Sequence, residues 1–110
     1  MRRKNFEGNN EILINEITIL VDERSVYVNN NEIILTPKEY ELLLYFTSNK
    51  NRVVTKEAVA EHLWGDNADQ LDNFNFIYTH VKNLRKKLVN NGCSDYIQTI
   101  YSIGYNFKIH

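Results

Sequence analysis

The sequence predicts an α+β domain with an antiparallel sheet first, three helices next and a β-hairpin last. Three observations predict it. Short runs rich in Ile and Val, broken by Asn and acidic residues, fill positions 11 to 35. Two helix-start signals and one long amphipathic stretch occupy positions 36 to 90. Alternating apolar and polar residues then close the chain. At 110 residues this is one domain, large enough to bury a core but too small to split.

Residues 1 to 10 are polar, carry the basic cluster Arg2-Arg3-Lys4, and read as a flexible leader or linker remnant; the folded domain is expected from 11 to 110. Ile12 to Ile14, Ile17 to Val21, Val26 to Val28 and Ile33 to Leu35 are four strand candidates joined as hairpins. Asn29, Asn30 and Asn31 supply a tight turn, because Asn tolerates the left-handed backbone region.

Thr36-Pro37-Lys38-Glu39 opens the first helix. Thr36 suits the N-cap, Pro37 the first helical position, and Glu39 lies three residues on, where it closes a capping box. The helix ends near Ser48-Asn49, with a turn from Asn49 to Arg52. Val53-Val54 follows, and Thr55-Lys56-Glu57 opens a second helix that Gly65 stops. His62 on this helix is isolated and reads as structural.

The third helix, 74 to 90, is the most informative stretch. Phe74, Ile77, Val81, Leu84 and Leu88 recur at steps of three and four and share one face. Asn75, Thr79, Lys82, Asn83 and Lys86 gather on the opposite face. Asn reads base edges and Lys pairs with phosphate, so a greasy back and an amide-and-amine front suit a nucleic-acid groove. A solvated amphipathic helix fits the same pattern. Asn90-Asn91-Gly92 ends the helix with a residue for the left-handed cap. Tyr96 to Tyr101 and Tyr105 to Ile109 then alternate around Ser102-Ile103-Gly104, with glycine expected in the hairpin turn.

Charge supports an oriented face. Residues 1 to 70 hold eight Lys and Arg against twelve Asp and Glu, while residues 71 to 110 hold five against two, so the net of −1 divides into −4 and +3. No apolar run approaches the roughly 18 residues of a membrane span, and no signal-peptide stretch follows Met1, so a cytoplasmic protein without membrane contact is expected. Cys93 is the single cysteine, which excludes an intrachain disulfide and a cysteine-based zinc site. The acidic loop Gly65 to Asn73 spaces Asp66, Asp69 and Asp72 at i, i+3 and i+6, not at the i, i+2, i+4 of a calcium loop. His62, His80 and His110 lie on different elements, and no phosphate loop or nucleophile elbow is present. No catalytic residues, metal or cofactor are therefore expected.

Two helices, a recognition-type helix and a terminal hairpin make a winged helix-turn-helix, which lays its last helix in the major groove. LTPKEYELL (Leu35 to Leu43), NRVVTKEAVAEHLWG (Asn51 to Gly65), THVKNLRKKL (Thr79 to Leu88) and IQTIYSIGYNF (Ile97 to Phe107) resemble, in order and spacing, the effector domains of OmpR/PhoB-type response regulators. That family places a four-stranded antiparallel sheet before the helices.

The resemblance implies sequence-specific binding of double-stranded DNA and transcription regulation in bacteria. By position, Asn75, Thr79, His80, Lys82, Asn83, Arg85 and Lys86 match family sites on the DNA-binding helix, with Thr79 and Asn83 toward bases and His80, Lys82 and Arg85 toward phosphates. His80 also suits a helix-packing role. Thr99 and Tyr101 fall on the wing, residues 97 to 109. Asn83 stands where the family commonly has Arg, which favours adenine over guanine, and Tyr101 stands where an Arg often enters the minor groove.

The resemblance further implies tandem pairing on direct repeats, contact with RNA polymerase through Asp66, Asp69 and Gln70, and, in an intact regulator, a receiver domain and a sensor kinase. The sheet begins almost at Met1, so an excised C-terminal half is expected; a stand-alone regulator and the cytoplasmic end of a membrane-anchored activator are the alternatives. A winged helix that meets only protein is the competing class.

Overall fold

The computed structural model describes residues 10–65 and 74–109. The basic cluster of the leader and the loop residues Asp66, Asp69, Gln70 and Asp72 lie outside the described residues. Four strands come first: β1 (Glu11–Ile14), β2 (Ile17–Leu20), β3 (Ser25–Val28) and β4 (Asn31–Ile33), paired antiparallel in sequence order. Register puts Ile12, Ile19, Val26 and Ile33 in one cross-strand row and Ile14, Ile17 and Val28 in the next. Side chains alternate across a sheet, so these rows share the face that is turned into the core. Asn10 prolongs the ladder, since its carbonyl accepts from the Val21 N–H at 2.8 Å.

The β3–β4 turn is one residue tighter than the sequence suggested. Asn29 and Asn30 alone form it, at φ of 53° and 69°, and Asn31 already belongs to β4. Two positive φ values are what the right-handed twist of the flanking strands asks of a two-residue hairpin. The strand consequently ends at Ile33, short of the expected Leu35.

Helix α1 (Pro37–Ser48) starts with the expected capping box: the Glu39 N–H donates to Thr36 Oγ1 at 3.2 Å and the Thr36 N–H donates to Glu39 Oε1 at 3.0 Å. Helix α2 (Lys56–Trp64) is capped by Thr55, whose Oγ1 accepts from the Ala58 N–H at 3.0 Å, and Gly65 at φ 59° ends it. Helix α3 (Asn75–Asn90) finishes in a Schellman arrangement. The Cys93 N–H reaches the Leu88 carbonyl and the Gly92 N–H reaches the Val89 carbonyl, both at 3.0 Å, with Gly92 at φ 96°.

Sequence reasoning passed over one strand. Val53-Val54-Thr55 forms β5, which pairs with β7 (Gly104–Phe107), and β7 pairs in turn with β6 (Ile97–Ile100), giving the order β5-β7-β6. The hairpin loop is Tyr101 to Ile103, and the positive φ belongs to Ser102 (66°). Gly104, expected in the turn, is a strand residue opposite Thr55, where an added Cβ would stand 1.9 Å from the Val54 carbonyl oxygen. Glycine is there for close approach of two strands, not for turn geometry. The Lys56 N–H donates to the Ile103 carbonyl at 3.0 Å, so the hairpin tip is held against the start of α2.

One core joins these parts. Leu42, Leu43 and Phe46 of α1, Ile77 and Leu84 of α3, Ile97 and Phe107 of the wing and Ile17, Ile19 and Val28 of the first sheet are nearly inaccessible to solvent. Each such aliphatic side chain stabilises the fold by roughly 1.5–3 kcal/mol relative to exposure. Phe46 stacks toward Phe107 at 6.3 Å, which ties α1 to the wing.

Candidate nucleic-acid interface

Helix α3 carries the site because its two faces are fully divided. Ile77, Val81, Leu84 and Leu88 are buried, whereas Asn75, Thr79, Lys82, Asn83 and Lys86 are all exposed. The Thr79 hydroxyl donates to the Asn75 carbonyl one turn earlier at 3.1 Å, which fixes its rotamer. Lys82, Asn83 and Lys86 make no hydrogen bond or ion pair with the other described residues, so among these residues nothing competes for an incoming polyanion.

The remaining basic residues of the helix are occupied. Lys87 donates to Glu39 Oε1 at 2.6 Å, and Glu39 is only 2% exposed. The same oxygen that closes the capping box of α1 therefore receives the ammonium of α3, and a single carboxylate links the two helices. Burial pushes the Glu39 carboxyl upward, but the hydrogen bonds from Lys87 and the Thr36 backbone, with the electrostatic attraction of Lys87, bring it net below the usual glutamate range. Arg85 forms a two-pronged pair with Asp95, Nε to Oδ1 at 3.2 Å and Nη2 to Oδ2 at 3.1 Å.

His80 is half-buried at the edge of the face, 5.9 Å from the Trp64 ring. Trp64 is the wedge between α2 and α3: it meets Phe76 edge-on at 4.5 Å, and the Lys38 ammonium lies 4.8 Å from its ring. His62, by contrast, is exposed and stacks on Tyr45 at 4.4 Å, away from α3.

The wing stands beside the helix. Tyr101 at its tip is 87% exposed, and Thr99 is exposed on β6. A groove of about 280 Å³ runs between Tyr78 of α3 and the wing, with Lys56 on its wall. Lys56 and Tyr78 were not singled out from the sequence. The Lys56 N–H holds the wing tip at Ile103 beside this groove, a contact that no local spacing announces.

The turns of the first sheet grip the segment between α3 and the wing. Glu16 Oε2 accepts from the Ser94 N–H at 2.7 Å, its Oε1 accepts from the Tyr96 hydroxyl, and Asn29 Nδ2 donates to the Gly92 carbonyl at 3.5 Å. Burial raises the Glu16 carboxyl, and the Tyr96 and Ser94 hydrogen bonds outweigh it, leaving the group net below its ordinary value. Burial, with the charges of Glu16 and Asp95, pushes the Cys93 thiol up to about 12, so a thiolate is scarce at neutral pH. Among the described residues no cluster of His, Cys, Asp and Glu is placed to hold a metal ion, and no helix is long and apolar enough to cross a membrane.

Residues 30–107 match the family model described as "Transcriptional regulatory protein, C terminal". The chain is 36% identical over 106 residues to the alkaline phosphatase synthesis transcriptional regulatory protein PhoP of Bacillus subtilis (strain 168), covering 96% of this chain and 43% of that protein. It spans less than half the length of the curated relatives it matches. Among solved structures, the response regulator DrrB of Thermotoga maritima, an OmpR/PhoB homologue, superposes with a TM-score of 0.77 at 28% identity over 93% of this chain and 46% of that one. The DNA-binding domain of Klebsiella pneumoniae RstA, solved in complex with RstA box, shares the fold at a TM-score of 0.79 and 24% identity, covering 93% of this chain and all of that one. With the matched span enclosing α1 to β7, the divided face of α3 and the wing beside it, the chain belongs to the C-terminal transcriptional regulatory protein family, as a winged-helix effector domain of the OmpR/PhoB response-regulator type.

Proposed function

We propose that this domain binds duplex DNA by seating α3 in the major groove, with the hairpin β6–β7 as the wing along the flanking backbone. The carrying observation is the exposed row Asn75, Thr79, Lys82, Asn83 and Lys86 on a helix whose other face is core. Lys82 and Lys86 serve phosphates, Thr79 and Asn83 read base edges, and the Asn83 amide suits the paired donor and acceptor of adenine. His80, at the half-buried rim, and Arg85 flank this row toward the backbone, and Thr99 and Tyr101 meet the strand beside the groove.

The site acts within a cytoplasmic regulator of a two-component pathway, in which a receiver domain answers to a sensor kinase. Two copies sit in tandem on direct repeats about one helical turn apart, the spacing at which both helices enter one side of the duplex. Titration of duplexes carrying one or two repeats, at several salt concentrations, tests both points. Three phosphate-facing cations set a slope of log affinity on log salt of about −3, at about −0.9 for each phosphate. A flat salt dependence rules out groove binding through Lys82, Arg85 and Lys86, and a tight dimer without DNA rules out pairing on the operator alone.

The loop of Asp66, Asp69 and Gln70 is proposed as the RNA polymerase contact. Its acidic composition is unsuited to phosphate, and it joins α2 to the DNA-facing helix. Replacing all three residues with Ala is expected to leave DNA affinity unchanged and to lower transcription in a purified system. Parallel loss of both assigns the loop to the fold or the DNA face instead.

A further inference from the structure

We propose that Asp95 is a built-in competitor for DNA phosphate at Arg85, setting the affinity of the domain below what its basic helix would otherwise give. This rests on α3 being the DNA-binding helix.

Asp95 is the only acidic residue from position 74 to the end of the chain, and it sits on a basic residue of that helix. The Arg85 guanidinium offers it Nε and Nη2, at 3.2 and 3.1 Å, the same planar fork that takes a phosphate with two parallel hydrogen bonds. The side chains are 35% and 51% exposed, so the pair is open to a ligand and weak enough to exchange.

The carboxylate is also held in place. Its neighbours on both sides, Ser94 and Tyr96, are bound to Glu16 in the β1–β2 turn, and Gly92 is bound to Asn29 in the β3–β4 turn. The first sheet therefore presents Asp95 to Arg85 as a fixed group, and a phosphate must replace a preformed partner rather than meet an unpaired cation. Lys82 and Lys86 carry no such partner among the described residues, so the competition is confined to one edge of the face.

The test is DNA binding by this chain to a mixed-sequence duplex across a salt series. Asp95→Asn is expected to bind about three- to fivefold tighter at low salt, the worth of one surface pair, with the salt slope nearly unchanged, because Arg85 meets the same phosphate in both proteins. In an Arg85→Ala background the same change is expected to have no effect, because the competitor acts only through that guanidinium. Asp95→Ser removes the charge with a smaller group and must reproduce the gain, and thermal unfolding confirms that each variant is folded. Unchanged or weaker binding by both folded Asp95 variants overturns the proposal and makes the pair a positioning clasp for the wing. An equal gain with and without Arg85 overturns it as well, leaving general repulsion between Asp95 and DNA. Lys82→Glu with Lys86→Glu is run alongside: if that variant still binds as wild type, the assignment of α3 itself fails and the competitor falls with it.

Discussion

Gly104→Ala is expected to lower stability by about 3 kcal/mol, the upper end of what overpacking costs. The new methyl would stand 1.9 Å from the Val54 carbonyl oxygen and 2.8 Å from the Thr55 Cα, both backbone atoms that no rotamer change can move aside. Strands β5 and β7 must then part at their closest point. That also disturbs Thr55, the N-cap of α2, and the clip between Lys56 and Ile103. For a domain of this size the loss corresponds to a fall of roughly 15 °C in the thermal midpoint. Ser102→Gly is the control: Ser102 has φ 66°, which glycine adopts without strain, so that variant should melt near the wild type. A Gly104→Ala midpoint within about 2 °C of wild type would mean that the β5–β7 approach is looser than described.

Reversing charge at Lys82 and Lys86 is expected to weaken DNA binding about 100-fold at low salt, since the proposed seating of α3 then loses two phosphate contacts and gains two repulsions. Stability should hardly change, because both side chains are exposed and make no ion pair with described residues. Lys87→Glu, one position along, behaves differently. It puts a second carboxylate beside the buried Glu39 and should damage the fold before any effect on DNA is measurable. Affinity and thermal midpoint measured on the same samples separate the two cases. Equal destabilisation by all three changes would remove the distinction between a DNA-facing lysine and a structural one.

That distinction also marks the limit of what the sequence discloses. The stripe Ile77, Val81, Leu84 and Leu88 is periodic within one element, and the Thr36–Glu39 box is a local spacing; both are visible before any fold is known. Lys86 and Lys87 look alike on paper. Only the docking of α1 against α3 makes one a surface cation and the other the partner of a buried carboxylate 48 positions away. Strand β5 escaped notice for a similar reason: three residues have no periodicity of their own and become a strand only when β7 arrives. Ser102-Ile103-Gly104 between two alternating segments suggested a glycine turn, yet the left-handed residue is Ser102 and glycine answers to a neighbour some 50 residues earlier in the chain. Nor does spacing along the chain tell that Asp95 folds back onto Arg85.

The strand order β5-β7-β6 has a kinetic consequence. The middle strand of this second sheet, β7, is the last of the described elements in chain order, so β5 waits through α2, α3 and β6 before its hydrogen bonds have partners. Loop closure over such a separation is entropically costly, and contacts that require it come late in folding. The first sheet, with hairpins of two to four residues between its strands, and α1, with its local box, can form early. Assembly should therefore run from the sheet toward the wing, and the step that zips Val53–Thr55 to Gly104–Phe107 should be among the last. Substitutions in β7 would then act chiefly on the rate of unfolding, and those in β2 and β3 chiefly on the rate of folding.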